Sequence, residues 1–195
     1  ADFPAPGRLI DVDGTHLHLH ALGKGRPPVI FEAAGMDFSP TWSLVQPEVA
    51  RLTESVAYDR AGLGWSDPRP GWRSAAAFVR ELRELLAAAE IPGPYVLVGH
   101  SSGSLTVRLF AYQYPAEVAG LVLVDGTHED QFQRFPEPIR AMFGPMKQAQ
   151  LGQMGQLQDL IAAQGSSAAP PLFAIPDAFP AGVAAAYRLR SVSDP

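Results

Sequence analysis

A serine flanked by glycines, Gly99-His100-Ser101-Ser102-Gly103, follows the apolar run Val96-Leu97-Val98 and precedes the helix-like stretch Leu105 to Tyr114. The apolar run reads as a short buried strand. Gly99 and Gly103 leave room for a very tight strand-to-helix turn, which a Cβ at either place would crowd. Such a turn lifts the Ser101 hydroxyl to its apex, above the unpaired N–H groups of a helix N-terminus. The chemistry on offer is nucleophilic attack by a serine oxygen. A serine hydroxyl attacks poorly unless a base takes its proton, and that base is usually a histidine held by a carboxylate.

The chain has five histidines. His16, His18 and His20 alternate with Leu17 and Leu19, so they share one face of a strand. A metal site is conceivable there, but the alternation describes a solvated polar face opposite a leucine face. His100 adjoins the serine, and neighbours on an extended strand point to opposite sides, so its expected role is packing beside the turn. His128 follows the strand that ends at Val124.

The elements that must position Ser101 are legible from patterning. Arg8 to Val12 and Thr15 to Ala21 read as strands joined by a hairpin turn at Asp13-Gly14. Val29 to Phe31 reads as a buried parallel-sheet strand, followed by the small residues Ala33-Ala34-Gly35. Ser39-Pro40 is expected to open a helix as N-cap and first residue, with Pro47 kinking or splitting it. Ser55 to Tyr58 is the next strand, and it runs into Asp59 to Pro68. Gly62-x-Gly64 in that stretch opens no helix and lacks a third glycine, so a structural loop is expected rather than a phosphate site. Ser74 caps a helix with Phe78, Leu82, Leu85, Leu86 and Ala89 on one face and Arg80, Glu81, Arg83 and Glu84 on the other. Val118 to Val124 is a further apolar strand, closing at Asp125-Gly126. Beyond Glu129 no strand pattern occurs. Helical pieces over Ile139 to Gln150, Gln153 to Gln164 and Ala181 to Arg190 suggest a helical cap, with a helical tail on a sheet edge as the plainer alternative. The expected division is a core over 1–128 and a cap over 129–195.

With 195 residues, 47% hydrophobic and 18% charged, the chain can bury one sizeable core. A net charge of −5 without a basic cluster argues against nucleic acid or an anionic membrane as partner. No apolar run approaches ~18 residues, so no membrane-spanning helix is expected. The absence of cysteine removes disulfides, thiolate metal sites and cysteine nucleophiles together. The chain opens at Ala1 rather than Met, as removal of either a signal segment or a tag would leave it. The first of these points to a secreted or periplasmic protein.

Three stretches in order, Val29-Ile-Phe-Glu-Ala-Ala-Gly35, Tyr58-Asp-Arg-Ala-Gly-Leu-Gly-Trp-Ser-Asp67 and Tyr95-Val-Leu-Val-Gly-His-Ser-Ser-Gly103, resemble the third, fourth and fifth strands of the α/β-hydrolase superfamily with their following loops. The match is to capped, serine esterase-like members and covers roughly residues 8–130. The resemblance implies an α/β fold: a mostly parallel sheet, here its first six strands, under a helical cap. It implies Ser101 as the nucleophile on its elbow, with Ser102 and Gly35 as backbone donors of the oxyanion hole and Met36 as the alternative second donor. It implies no cofactor and no metal. Asp125 is the candidate acid, with Glu129 or Asp130 behind it, while most relatives carry the acid one strand later. The triad histidine belongs on a loop after the last strand, where this chain has none. The expectation is that the histidine, and the acid with it, come from a C-terminal portion or a second chain, about 80–100 residues of α/β fold. Met36, Phe132, Phe135, Met142, Phe143 and Met146 are candidates to line a pocket for a small-molecule ester. A rival reading is a non-catalytic small-ligand-binding protein of the same fold. Amidase, thioesterase, carbon–carbon hydrolase and acyltransferase chemistries share the elbow.

Overall fold

The computed structural model of the chain describes residues 4–70 and 73–142. It divides into two units, Ala1–His128 and Glu129–Pro195.

The first unit is built on one six-stranded sheet in the order β1-β2-β4-β3-β5-β6. Its strands are β1 (Arg8–Val12), β2 (Thr15–Leu22), β3 (Val29–Glu32), β4 (Ser55–Tyr58), β5 (Tyr95–His100) and β6 (Val118–Val124). β1 and β2 form the expected hairpin, with Val12 paired to Thr15 across Asp13 and Gly14. Both turn residues have positive φ, 51° and 78°, the requirement of a two-residue turn that matches strand twist. β2 runs antiparallel to β4, and from β4 through β3 and β5 to β6 every pairing is parallel.

Alternation along the parallel strands divides the core by faces. Ile30, Val56 and Leu97 join Leu82, Leu85, Val107 and Phe110 of the helices α2 (Ala75–Ala88) and α3 (Gly103–Gln113). Phe31, Ala57 and Val98 pack with Trp42 and the half-buried Val49 on the other side. Full burial of a side chain such as Phe110 contributes about 2 kcal/mol. Trp42 belongs to a 3-10 turn, Ser39–Trp42, and Val49 to the short α1 (Gln46–Val49), whose second residue is Pro47. Proline thus splits this segment as expected, but Phe38 rather than Ser39 is its N-cap, because the buried Ser39 gives its N–H to Asp59 Oδ1 at 2.7 Å.

The helix α2 has the expected cap, Ser74 Oγ accepting from the Ala77 N–H at 3.2 Å. One residue departs from the expected polar face. Glu81 is buried because both its oxygens accept from Arg73, at 2.9 Å each, and Oε1 also takes the Ala61 N–H at 2.9 Å.

The histidine face of β2 also needs correction. His16 is exposed, but His18 is fully buried and His20 half-buried. The loop after β4 covers that face: Asp59 Oδ2 lies 2.9 Å from His18 Nδ1 and the Trp65 ring 5.0 Å from the His18 ring. Alternation assumed water on one face, and a distant loop occupies it instead. Burial, and then the neighbouring His18, hold His20 below its usual pKa.

In the second unit, α4 (Gln131–Arg134) and a helical stretch over 137–142 are described. The helices expected over Gln153 to Gln164 and Ala181 to Arg190, and most of the one from Ile139, lie outside the described residues. Among the described residues no helix is long and apolar enough to cross a membrane.

Candidate active site

The chain leaves β5 at His100 and enters α3 at Gly103, so only Ser101 and Ser102 make the turn. Ser101 adopts φ of 48°, a left-handed conformation rare for a residue with a side chain. The flanking glycines serve close approach. A Cβ on Gly99 would sit 2.6 Å from Val107 Cγ2 and 2.9 Å from Ser104 Cα. One on Gly103 would sit 2.5 Å from the Ala33 carbonyl oxygen and 2.9 Å from Glu32 Cγ. The first glycine lets β5 run directly beneath α3, and the second seats the start of α3 on the end of β3.

Hydrogen bonds clamp the turn from both directions. The Ser101 N–H donates to the Val124 carbonyl at 3.1 Å, and its carbonyl accepts from Thr127 N–H at 3.0 Å and Ser104 N–H at 3.1 Å. The loop after β6, which holds Asp125, is therefore tied to the backbone of Ser101. Asp125 itself has φ of 45°. His100 packs beside the turn, its ring edge-on to Trp42 at 6.3 Å. Among the described residues His100 Nδ1 and Ser102 Oγ are buried without a hydrogen-bond partner.

The loop after β3 stands next to the elbow. Gly35 is exposed, and a Cβ there would approach Ser102 Oγ to 3.1 Å. Asp37 N–H donates to the Ala34 carbonyl at 3.2 Å, which makes a turn of Ala34 to Asp37. Met36 is 48% exposed on that turn.

Beneath this turn lies a network that the sequence reading did not anticipate. Arg60, 5% exposed, donates through one terminal nitrogen to the carbonyls of Ala34, Gly35 (3.1 Å), Ala33 (3.4 Å) and Asp37 (3.5 Å). Its other terminal nitrogen lies 3.5 Å from Glu32 Oε1, and Tyr58 O–H donates to Glu32 Oε2. Burial pushes the Glu32 carboxyl above its usual pKa, against the opposing pull of Arg60 and the Tyr58 bond. Burial, and then Glu32, raise the Tyr58 phenol in turn. A sequence signal existed: a carboxylate closing an apolar strand needs a partner, and Asp59-Arg60 closes the adjacent one. Asp59 anchors the same loop, accepting from the N–H groups of Ser39 at 2.7 Å and Trp65 at 2.9 Å besides its contact with His18.

The structure therefore brings Gly35 beside Ser102, with Met36 on the same turn as Gly35, and ties the loop of Asp125 to the backbone of Ser101. It places His16 on Asp67 at 3.0 Å and His18 on Asp59. Among the described residues no group of three or more His, Cys, Asp or Glu could hold a metal ion. Of the expected pocket residues, Phe132 belongs to α4, Phe135 is half-buried and Met142 is 61% exposed. Phe143 and Met146 lie outside the described residues.

A mostly parallel sheet with helices on both faces, and a serine raised on a strand-to-helix turn, define an α/β-hydrolase core. The chain belongs to the alpha/beta hydrolase fold family, whose model matches residues 27–160. An uncharacterized protein of Bacillus subtilis, YqjL, is 34% identical over 115 residues, which is 58% of this chain and 46% of that protein. An epoxide hydrolase of Bacillus megaterium is similar with TM-score 0.63 and 26% identity, over 72% of this chain and 50% of that one. A thermophilic esterase of Thermogutta terrifontis is similar with TM-score 0.55 and 26% identity, over 61% of this chain and 44% of that one. The chain thus spans half or less of the length of each.

Proposed function

We propose that this chain carries the nucleophile half of a serine hydrolase that cleaves carboxylic esters. In this reading Ser101 Oγ attacks the ester carbonyl and passes its proton to a histidine, and the negative oxygen is held by the N–H groups of Ser102 and Gly35. The carbon–alkoxy bond breaks, the alcohol takes the proton, and water then releases the acid from the acyl-enzyme. The observation that carries the reading is the left-handed Ser101 between Gly99 and Gly103, where a Cβ would sit 2.6 Å and 2.5 Å from its nearest neighbours. The likeness to an esterase agrees with it. The serine itself favours acyl transfer over epoxide opening, for which the elbow would hold an aspartate.

The triad histidine, and the acid unless Asp125 serves, come in this reading from a C-terminal portion or second chain seated beyond β6. In this reading residues 129–195 are the cap region, and Met36, 48% exposed, offers apolar surface to the acyl or alcohol group. Labelling of the full-length protein with a fluorophosphonate tests the proposal. Covalent modification at Ser101, lost in Ser101→Ala, supports it. An inert Ser101 in intact protein would instead identify a non-catalytic ligand-binding member of the fold.

A further inference from the structure

We propose that Arg60 is a positioning residue of the oxyanion hole, a cation that turns the peptide planes of the loop after β3 so that their N–H groups face the elbow. The inference rests on the serine hydrolase reading and names a residue that supports its chemistry without touching substrate.

The argument starts from peptide planarity. In a trans peptide the carbonyl of one residue and the N–H of the next point in opposite directions. Arg60 draws the carbonyls of Ala34 and Gly35 towards itself. The N–H groups of the residues that follow, Gly35 and Met36 among them, are thereby aimed away from the guanidinium. The elbow adjoins this same turn, since a Cβ on Gly35 would lie 3.1 Å from Ser102 Oγ. Either register of the second donor is served by the same cation.

Successive carbonyls turned to one side repel one another, and a turn of small residues has little else to hold it so. A buried positive charge compensates that repulsion, and its desolvation is offset only if its own environment is fixed. Here the Glu32 carboxyl lies 3.5 Å from one terminal nitrogen and the Phe78 ring 5.0 Å from the guanidinium carbon. Glu32 is the last residue of β3, directly before the loop, and Arg60 follows β4 by two residues. The parallel pairing of β3 with β4 therefore brings the cation beneath the loop it orients. This also gives a role to the Asp59 to Asp67 loop, which reads in sequence as connecting structure alone.

The test is steady-state hydrolysis of a p-nitrophenyl ester by full-length protein carrying Arg60→Met or Arg60→Lys, with the rate of fluorophosphonate labelling measured alongside. Donors that miss the transition-state oxygen lower kcat and spare ground-state binding. Arg60→Met is expected to lower kcat and the labelling rate by roughly 10- to 100-fold with KM changed less than about threefold. Arg60→Lys restores the charge without the planar fork and is expected to recover part of the loss. If Arg60→Met does not fold, the kcat and KM of Arg60→Lys decide. Unchanged kcat in a folded variant, or a loss confined to KM, overturns the role of Arg60 while leaving the hydrolase reading intact. A wild-type protein inert to both reagents overturns the two together.

Discussion

Gly103 presses against Ala33, so that a Cβ added to it would sit 2.5 Å from the Ala33 carbonyl oxygen. Gly103 opens the helix after Ser101, and Ala33 opens the loop after β3. Their contact joins the parts of the core that carry Ser102 and Gly35. The nearest obstacle is backbone, which cannot rotate aside. Gly103→Ala is therefore expected to destabilise the fold by about 2 kcal/mol, read from urea denaturation. A variant as stable as wild type would show that the contact is looser than described.

Strain at Ser101 gives a second expectation. The left-handed φ of Ser101 costs roughly 1 kcal/mol for any residue with a Cβ, and glycine escapes it. Ser101→Gly is expected to be about 1 kcal/mol more stable than Ser101→Ala, with both inert to fluorophosphonate. Equal melting temperatures for the pair would argue against strain there.

The contact of His18 with Asp59 links β2 to the loop that carries Arg60. Both side chains are fully buried, and Asp59 also holds the N–H groups of Ser39 and Trp65. Removing the carboxylate leaves buried donors without an acceptor. Asp59→Ala is expected to cost on the order of 3 kcal/mol. Hydrogen exchange at Trp65 should speed up in the same variant; protection equal to wild type would count against the link.

The buried Glu32 predicts a pH dependence. Its folded pKa is raised by burial above the usual value of 4.5, so the folded state keeps this proton to higher pH than the unfolded chain does. Between those two values the folded state binds more protons, and this group's contribution to stability falls as pH rises. The contribution is full below 4.5 and is lost through the raised value. Urea denaturation of wild type and Glu32→Gln at stepped pH should show the slope in the first alone. Matching slopes would remove Glu32 as the cause.

The edge strand β6 offers a final test. Leu121, Val122, Leu123 and Val124 are between 41% and 48% exposed, and consecutive strand residues face opposite sides of the sheet. If further parts of the protein cover β6, as proposed, then Leu123→Lys in full-length protein buries a charge and is expected to cost about 2 kcal/mol or more. A negligible effect would mean that this edge faces water in the whole protein.

Much of this architecture can be read from local pattern. The extents of β4 and β6, the cap at Ser74, the turn at Asp13-Gly14 and the need for glycine at 99 and 103 depend on neighbours within a few residues. Short-range sterics, hydrogen bonding and side-chain periodicity determine such features, and these are written in sequence order. The burial of His18 and Glu81 escaped that reading. Each is covered by residues outside its own strand or helix, and a periodicity argument can only assume what covers a face.

Local sterics in the sequence alone determined a serine on a turn too tight for any residue but glycine on either side. Only the tertiary structure decided what holds the loop after β3 beside that serine. The parallel register of β3 and β4 sets Arg60 under Ala33, Ala34 and Gly35, residues 25 to 27 positions away. A charge finds its carbonyls through space, and that distance has no signature in a run of neighbouring residues.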